Sequence, residues 1–273
     1  MIQDIAPHRF DNSYHPGPPS FLDIALCFSE KEVLLKNGAL PHFSNLPPAA
    51  AAQSERLFSI DETGFFLAPP QAFEAPKGAG FLWHPIRVFR SMQPSWMAFG
   101  GITGCQLWRW EQSRQYCGRC GKKMQHSKSE RALFCPACGL MEYPKICPAV
   151  IVAISDGDKL LMARNVNSQT GSYALIAGFV EIGESFEQAV RREAMEEVGV
   201  RLKNIRYYKS QPWSFSDTIM IGFTAELDGS PDLRLQESEI ADAKWVPRSQ
   251  IPPASSLISV GGELIENFRL GRI

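Results

Sequence analysis

Three glutamates at the end of one apolar-periodic segment, Glu193, Glu196 and Glu197, are of a type and spacing that suggest chemistry. On a helix of 3.6 residues per turn they fall within one arc, while Phe186, Val190 and Ala194 share another that can face a core. Carboxylates at i and i+4 repel by about 0.2–0.5 kcal/mol, and near a helix C-terminus they also oppose the helix dipole. A hard divalent cation removes both objections. An all-oxygen ligand set selects Mg²⁺ or Mn²⁺, ions that keep several waters and bridge to substrate phosphates.

A second constellation is made of sulfur. Cys117-Gly118-Arg119-Cys120-Gly121 and Cys135-Pro136-Ala137-Cys138-Gly139 are two knuckles of equal spacing. Two cysteines three apart ligate one ion from a tight turn, and the glycine after each pair lets the backbone turn back toward the sulfurs, so the four predict a closed tetrahedral Zn²⁺ site. With no open position for water, its role is structural: it folds a segment too short to have a core. Arg119, Lys122, Lys123, Lys128 and Arg131 around the knuckles are either a nucleic-acid contact or a solvated face. The remaining cysteines, Cys27, Cys105 and Cys147, are expected to be buried thiols.

The elements around these groups can be read from periodicity. Short apolar runs such as Phe21 to Leu26 and Val33 to Leu35, separated by Pro16-Gly17-Pro18-Pro19 and Pro47-Pro48-Ala49, predict strands and turns. Residues from about 96 to 115 carry apolar groups at helical spacing and lead into the first knuckle. Ala149 to Ile154, Ser155 to Asp158 and Lys159 to Ala163 read as strand, turn and strand; Tyr173 to Ile176 continues strand-like to Gly178. Glu184 to Val198 reads as a helix stopped by Gly199, and Met220 to Glu226 as a strand. The expected organisation is an N-terminal domain over 1–113, a ribbon over 114–143 and a mixed α/β domain over 144–273.

Composition excludes whole classes. Of 273 residues, 44% are hydrophobic and 21% charged, which rules out disordered, collagenous and coiled-coil chains. Lys+Arg 28 against Asp+Glu 29 gives a net charge of −1, so any nucleic-acid contact must be local. Met1 to Ile5 has neither a basic nor an apolar leader pattern, and no stretch reaches the length of a bilayer span, which predicts a cytoplasmic protein with no membrane partner.

The stretch from Gly178 to Val200 resembles the Nudix box, Gly-x5-Glu-x7-Arg-Glu-U-x-Glu-Glu-x-Gly-U with U apolar, at every specified position, through Gly178, Glu184, Arg192, Glu193, Ala194, Glu196, Glu197, Gly199 and Val200. Ser210-Gln211-Pro212-Trp213-Ser214-Phe215-Ser216-Asp217-Thr218 resembles the Ser-Gln-Pro-Trp-Pro-Phe-Pro-x-Ser array of the NADH pyrophosphatases, also known as NAD-capped RNA hydrolases, with Ser214, Ser216 and Thr218 departing from it. With the ribbon before the box, the resemblance covers nearly the whole chain. It implies an α/β (α+β) chain: a Nudix fold, with a mixed sheet sandwiched by helices, preceded by a zinc ribbon and a β-rich N-terminal domain.

The resemblance also implies roles. The family hydrolyses nucleoside diphosphates with Mg²⁺ or Mn²⁺; by position, the Ala177 carbonyl and the Glu193, Glu197 and Glu239 carboxylates would hold the ion, with Glu237 competing for the place of Glu239. Glu196 joins Glu193 and Glu197 in the catalytic set, with Glu197 or a close neighbour as base, while Arg192 orients glutamates rather than touching substrate. Substrate contacts would come from Gln211, Pro212, Trp213, Ser214, Phe215, Ser216, Asp217 and Thr218, and from Glu130, Tyr143 and Gly261, the last replacing the usual alanine. Lys36 and Arg87 are carried over from the diverged N-terminal domain. The implied reaction splits NAD(H) into nicotinamide mononucleotide and AMP, and removes the NAD cap from RNA 5′ ends, in a homodimer. The alternatives are a Nudix hydrolase of ADP-ribose or dinucleoside polyphosphates, and a non-catalytic zinc-ribbon protein that binds nucleic acid or senses a ligand.

Overall fold

Short apolar runs punctuated by proline and glycine give the N-terminal half short strands. In the computed structural model, which describes residues 1–70, 80–168 and 171–273, the chain divides into two compact units: residues 2–145 with 214–216, and residues 146–213 and 217–273 with Met1. The first unit holds strands β1 (Phe10–Asp11), β2 (Ile24–Leu26), β3 (Phe28–Ser29), β4 (Glu32–Lys36), β5 (Glu55–Ile60), β6 (Thr63–Leu67) and β7 (Phe81–Pro85), with the short helix α1 (Ala49–Ala52) before β5. They form a four-stranded sheet in the order β1-β5-β6-β2 and a three-stranded sheet in the order β3-β4-β7. The β-rich reading of this segment agrees with these sheets.

Helix α2 (Ser95–Ser113) closes the sheets and leads into the ribbon, close to the span read from its apolar spacing. The ribbon is a three-stranded antiparallel sheet of β8 (Gln125–His126), β9 (Leu133–Phe134) and β10 (Met141–Glu142), with β9 central. Trp110 from α2 packs with Met124 and Leu133 against the buried sulfurs of Cys117 and Cys135. That small cluster is too little core to fold the ribbon alone, which is why the sulfurs matter.

The second unit is built on β11 (Cys147–Asp156), β12 (Lys159–Asn165), β13 (Ile176–Phe179), β14 (Leu202–Trp213), β15 (Thr218–Leu227) and β16 (Ile240–Pro247). The sheet runs β14-β15-β11-β12-β16, with β11 parallel to β15 and β13 pairing with the first half of β11. Strand alternation sends Val150, Val152 and Ile154 to one face, with Ala189, Val190, Ala194 and Val198 of helix α3 (Phe186–Val198). Ile151 and Ala153 face the other way, toward Val260, Leu264 and Phe268 of helix α4 (Val260–Arg269). A mixed sheet thus lies between two helices, as expected. Cys27 and Cys105 are buried, and burial pushes the Cys27 thiol up to about 12, whereas Cys147, expected buried, is only partly so at the first position of β11.

Candidate active site and structural metal centre

The four knuckle sulfurs come together within 4.8 Å of one another, with Cys117 Sγ 3.5 Å from Cys138 Sγ and Cys120 Sγ 3.5 Å from Cys135 Sγ. Tetrahedral zinc with bonds of about 2.3 Å separates its sulfurs by about 3.8 Å, so this donor set fits Zn²⁺. The turns are those the sequence requires: Gly121 and Gly139 adopt φ of 71° and 73°, and each N–H donates to the first cysteine's carbonyl at 2.9 Å. Cys135→Ser is expected to release the tightly held zinc and expose 114–143 to protease, read by metal analysis and limited proteolysis; retained zinc with unchanged protection would contradict a structural site. Of the basic ribbon residues, Arg131 is committed inward. Its guanidinium donates to Asn12 Oδ1 at 2.8 Å and to the Leu57 carbonyl.

Helix α3 is fixed at both ends before it presents its glutamates. Ser185 is the N-cap: its Oγ accepts from the Gln188 N–H at 3.3 Å, and the Gln188 side chain accepts from the Ser185 N–H at 2.7 Å. Gly199 ends the helix in the left-handed conformation. Between these caps Arg192 is the hub. Its Nε and Nη2 grip Glu184 at 2.6 and 2.9 Å, Nη1 reaches Glu193 at 2.7 Å and Glu196 at 3.0 Å, and Nη2 also donates to the Phe179 carbonyl at 2.9 Å. Hydrogen bonds from Arg192 hold Glu184 well below the usual carboxylate range, at about 2. A lysine cannot serve several partners from one planar fork. Arg192→Lys is therefore expected to cut turnover by about 10–100-fold, the loss typical of a support residue around a metal centre, with unchanged far-UV circular dichroism. Wild-type turnover would contradict the hub.

Glu193 and Glu197 turn inward and are buried, while Glu196 stays exposed on Arg192. Gly178 on β13 lies directly against Glu193: a Cβ there would sit 2.0 Å from the carboxyl carbon. Ala177, one residue earlier, pairs with Ile151 of β11. The Glu197 carboxylate has no hydrogen-bond or ion-pair partner among the described residues. Burial first, then the charges of Glu193, Glu239 and Glu196, push its carboxyl up to about 8; burial also raises Glu193. A buried, unpartnered carboxylate among like charges is a donor set that fits a hard divalent ion. Glu239 is the downstream acid whose charge acts on both Glu193 and Glu197, which favours it over Glu237.

The remaining candidates fall into three groups. Glu130 and Tyr143 are brought together: the nearby Glu130 charge raises the pKa of the exposed Tyr143 phenol. In the aromatic array, Gln211, Pro212 and Trp213 end β14, Asp217 turns the chain at φ 58°, and buried Thr218 opens β15. Gln211 is fully buried; its Nε2 donates to the Ile258 carbonyl at 2.8 Å and its Oε1 accepts from the Val260 N–H at 2.7 Å. Its amide thus positions the turn that carries Gly261. The Ser214 carbonyl accepts from Arg109, the Arg90 guanidinium lies 4.7 Å over the Phe215 ring, and Ser216 is exposed. Gly261 sits in the first turn of α4, where a Cβ would meet Ile151 at 2.8 Å. Lys36 ends β4 beside the Phe81 ring, 5.7 Å from its centroid, and Arg87 lies in the short 3-10 helix Ile86–Arg90; neither joins another candidate.

Sequence reasoning missed Glu184 as the anchor of Arg192, although its place one turn before α3 was a signal. It also missed a cavity of about 490 Å³ on the α4 face, lined by Met162, Tyr173, Lys244, Ile251, Ser256 and Gly262 among others. There Lys244 Nζ lies 4.0 Å over the Tyr173 ring.

A mixed sheet between two helices, with a capped glutamate helix packed on a glycine strand, is the fold and site of a Nudix domain. Residues 145–268 match the NUDIX domain, and residues 112–143 match the NADH pyrophosphatase zinc ribbon domain. The NAD-capped RNA hydrolase NudC of Chromobacterium violaceum is 35% identical over 240 residues, covering 88% of this chain and 89% of that protein. The NudC of Haemophilus influenzae is 43% identical over 161 residues, 56% of this chain; the chain spans 61% of that relative's length. A Nudix hydrolase crystal structure from Nitrosomonas europaea superposes with TM-score 0.50 at 21% identity, over 58% of this chain and 92% of that one. The chain belongs to the NudC family of NAD-capped RNA hydrolases.

Proposed function

We propose that this protein hydrolyses the diphosphate of NAD(H) to nicotinamide mononucleotide and AMP, and removes the NAD cap from RNA 5′ ends to leave a 5′-monophosphate. The observation that carries the reading is the buried, unpartnered Glu197 beside Glu193, held by Arg192 against Gly178. A pyrophosphate resists attack because its anionic oxygens repel a nucleophile, so catalysis needs neutralised charge and a positioned water. Mg²⁺ or Mn²⁺, held by Glu193, Glu197, Glu239 and the Ala177 carbonyl, would supply the charge neutralisation and lower the water's pKa. Glu197, or a close neighbour, would take the water's proton on its carboxylate, and Arg192 keeps Glu193 and Glu196 from swinging away. We place the nucleotide at the Gly261 turn held by Gln211 and in the cavity beside Gly262. The 35–43% identity to NAD-capped RNA hydrolases supports this substrate class.

We read the protein as a cytoplasmic homodimer by the same likeness; no helix among the described residues is long and apolar enough to cross a membrane. The test is product analysis with NADH, NAD-capped RNA, ADP-ribose and a dinucleoside polyphosphate in Mg²⁺ or Mn²⁺. Cleavage of NADH and capped RNA ahead of the other two supports the reading. Preference for ADP-ribose or the dinucleoside polyphosphate overturns the substrate assignment, and no cleavage of any substrate moves the reading to a ligand-sensing protein.

A further inference from the structure

Among the described residues one other group of metal-ligating side chains converges. Glu55 at the start of β5, Glu111 near the end of α2 and His126 on ribbon strand β8 each offer a ligand atom within 4.8 Å of the other two. The three come from segments far apart in sequence. Tyr14 Oη donates to the Ser127 carbonyl at 2.8 Å, next to His126, and Arg131 ties the ribbon to Asn12 and to Leu57 of β5. His126 Nδ1 lies 2.9 Å from Glu55 Oε1. Glu111 is partly buried, and its carboxylate has no hydrogen-bond or ion-pair partner among the described residues.

Charge decides what completes this group. Glu55 is met by His126 and by the charge of Arg131, which leaves the partly desolvated Glu111 carboxyl without a cation of its own; a doubly charged ion on a neutral imidazole would serve both carboxylates. Burial, with the Glu55 charge adding to it, already pushes the Glu111 carboxyl up to about 8. One nitrogen and two oxygens form a donor set of intermediate softness. It differs from the closed sulfur set of the ribbon and from the all-oxygen set of α3, and it suits zinc, which accepts both imidazole and carboxylate and leaves a position for water. The His126 side chain is 48% exposed, so an ion has a path in.

We propose that Glu55, Glu111 and His126 form a second Zn²⁺ site, with water completing its coordination, that fastens β5, α2 and the ribbon to one another. The site is independent of the nucleotide reading and is tested without activity. Protein with its ribbon zinc in place and with Glu193→Gln and Glu197→Gln, which remove the two buried α3 carboxylates, is dialysed against Zn²⁺, and zinc per chain and Tm are measured. The expected result is two zinc ions per chain and a Tm raised by Zn²⁺, with Glu111→Gln and, separately, His126→Ala returning the count to one and abolishing the shift. Glu111→Gln keeps the shape and removes only the charge, so its zinc-free melt reports whether the fold is intact. A single zinc in the parent protein, or two in both variants, would overturn the site.

Discussion

Glu197→Gln is expected to lower turnover by about 10²–10⁴-fold, the range over which a positioned general base acts, while making the metal-free protein more stable above neutral pH. Both effects have one cause. The Glu197 carboxyl is raised from 4.5 to about 8 in the fold, chiefly by burial and then by Glu193, Glu239 and Glu196. Between those values the folded chain keeps a proton that the unfolded chain has lost, so stability falls as pH rises. The Glu197 contribution is fully present below about 4.5 and is gone once pH has passed through about 8. Glutamine never ionises, so the metal-free variant should lose less stability over that window, and Mn²⁺ should stabilise the wild type more at high pH than near pH 6. Thermal melts of both proteins from pH 5 to 9, with and without Mn²⁺, check the stability claim. Full turnover of the variant would remove Glu197 from the chemistry.

Gly178→Ala is expected to reduce turnover by about 10²-fold, the loss that a misplacement of about 1 Å brings to a reacting geometry. The new Cβ would lie 2.0 Å from the Glu193 carboxyl carbon, and an atom cannot share that space. Glu193 must therefore leave its place beside Arg192, and β13, paired along β11 over four residues, has little freedom to yield instead. Because the substitution acts through Glu193, it should add little to Glu193→Gln: the double variant should match the more damaged single variant rather than multiply the losses. Steady-state kinetics of the cycle decide the point, and multiplicative losses would show that Gly178 acts independently of Glu193.

How far the fold could be read in advance depended on whether its signals were local. The glutamate helix was legible because capping residues, apolar period and glycine stop all agree between Ser185 and Gly199. The ribbon was legible because four sulfurs at that spacing have one chemical use. Strand β14 was not: register shifts between Lys203 and Arg206 and between Tyr207 and Lys209 break the alternation that announces a strand. Helix α4 was hidden by Gly261 and Gly262 in its first turn, residues that disfavour a helix, although Val260, Leu264 and Phe268 share one buried face. The site showed the same divide. Residue type offered Gln211 as a ligand-reading amide, but could not show that this amide also bonds the Ile258 carbonyl and the Val260 N–H. Spacing alone also left Glu237 and Glu239 level; only in the fold is the Glu239 charge seen to act on both Glu193 and Glu197.

The measurement that tests the central claim most directly is hydrolysis of NADH in ¹⁸O-labelled water with Mg²⁺ or Mn²⁺, the products resolved by mass, beside the Glu197→Gln protein. The account predicts reduced nicotinamide mononucleotide and AMP, with a single ¹⁸O in the phosphate of one of them, and almost no product from the variant. Release of free nicotinamide, ¹⁸O in neither phosphate, or equal turnover by the variant would contradict it.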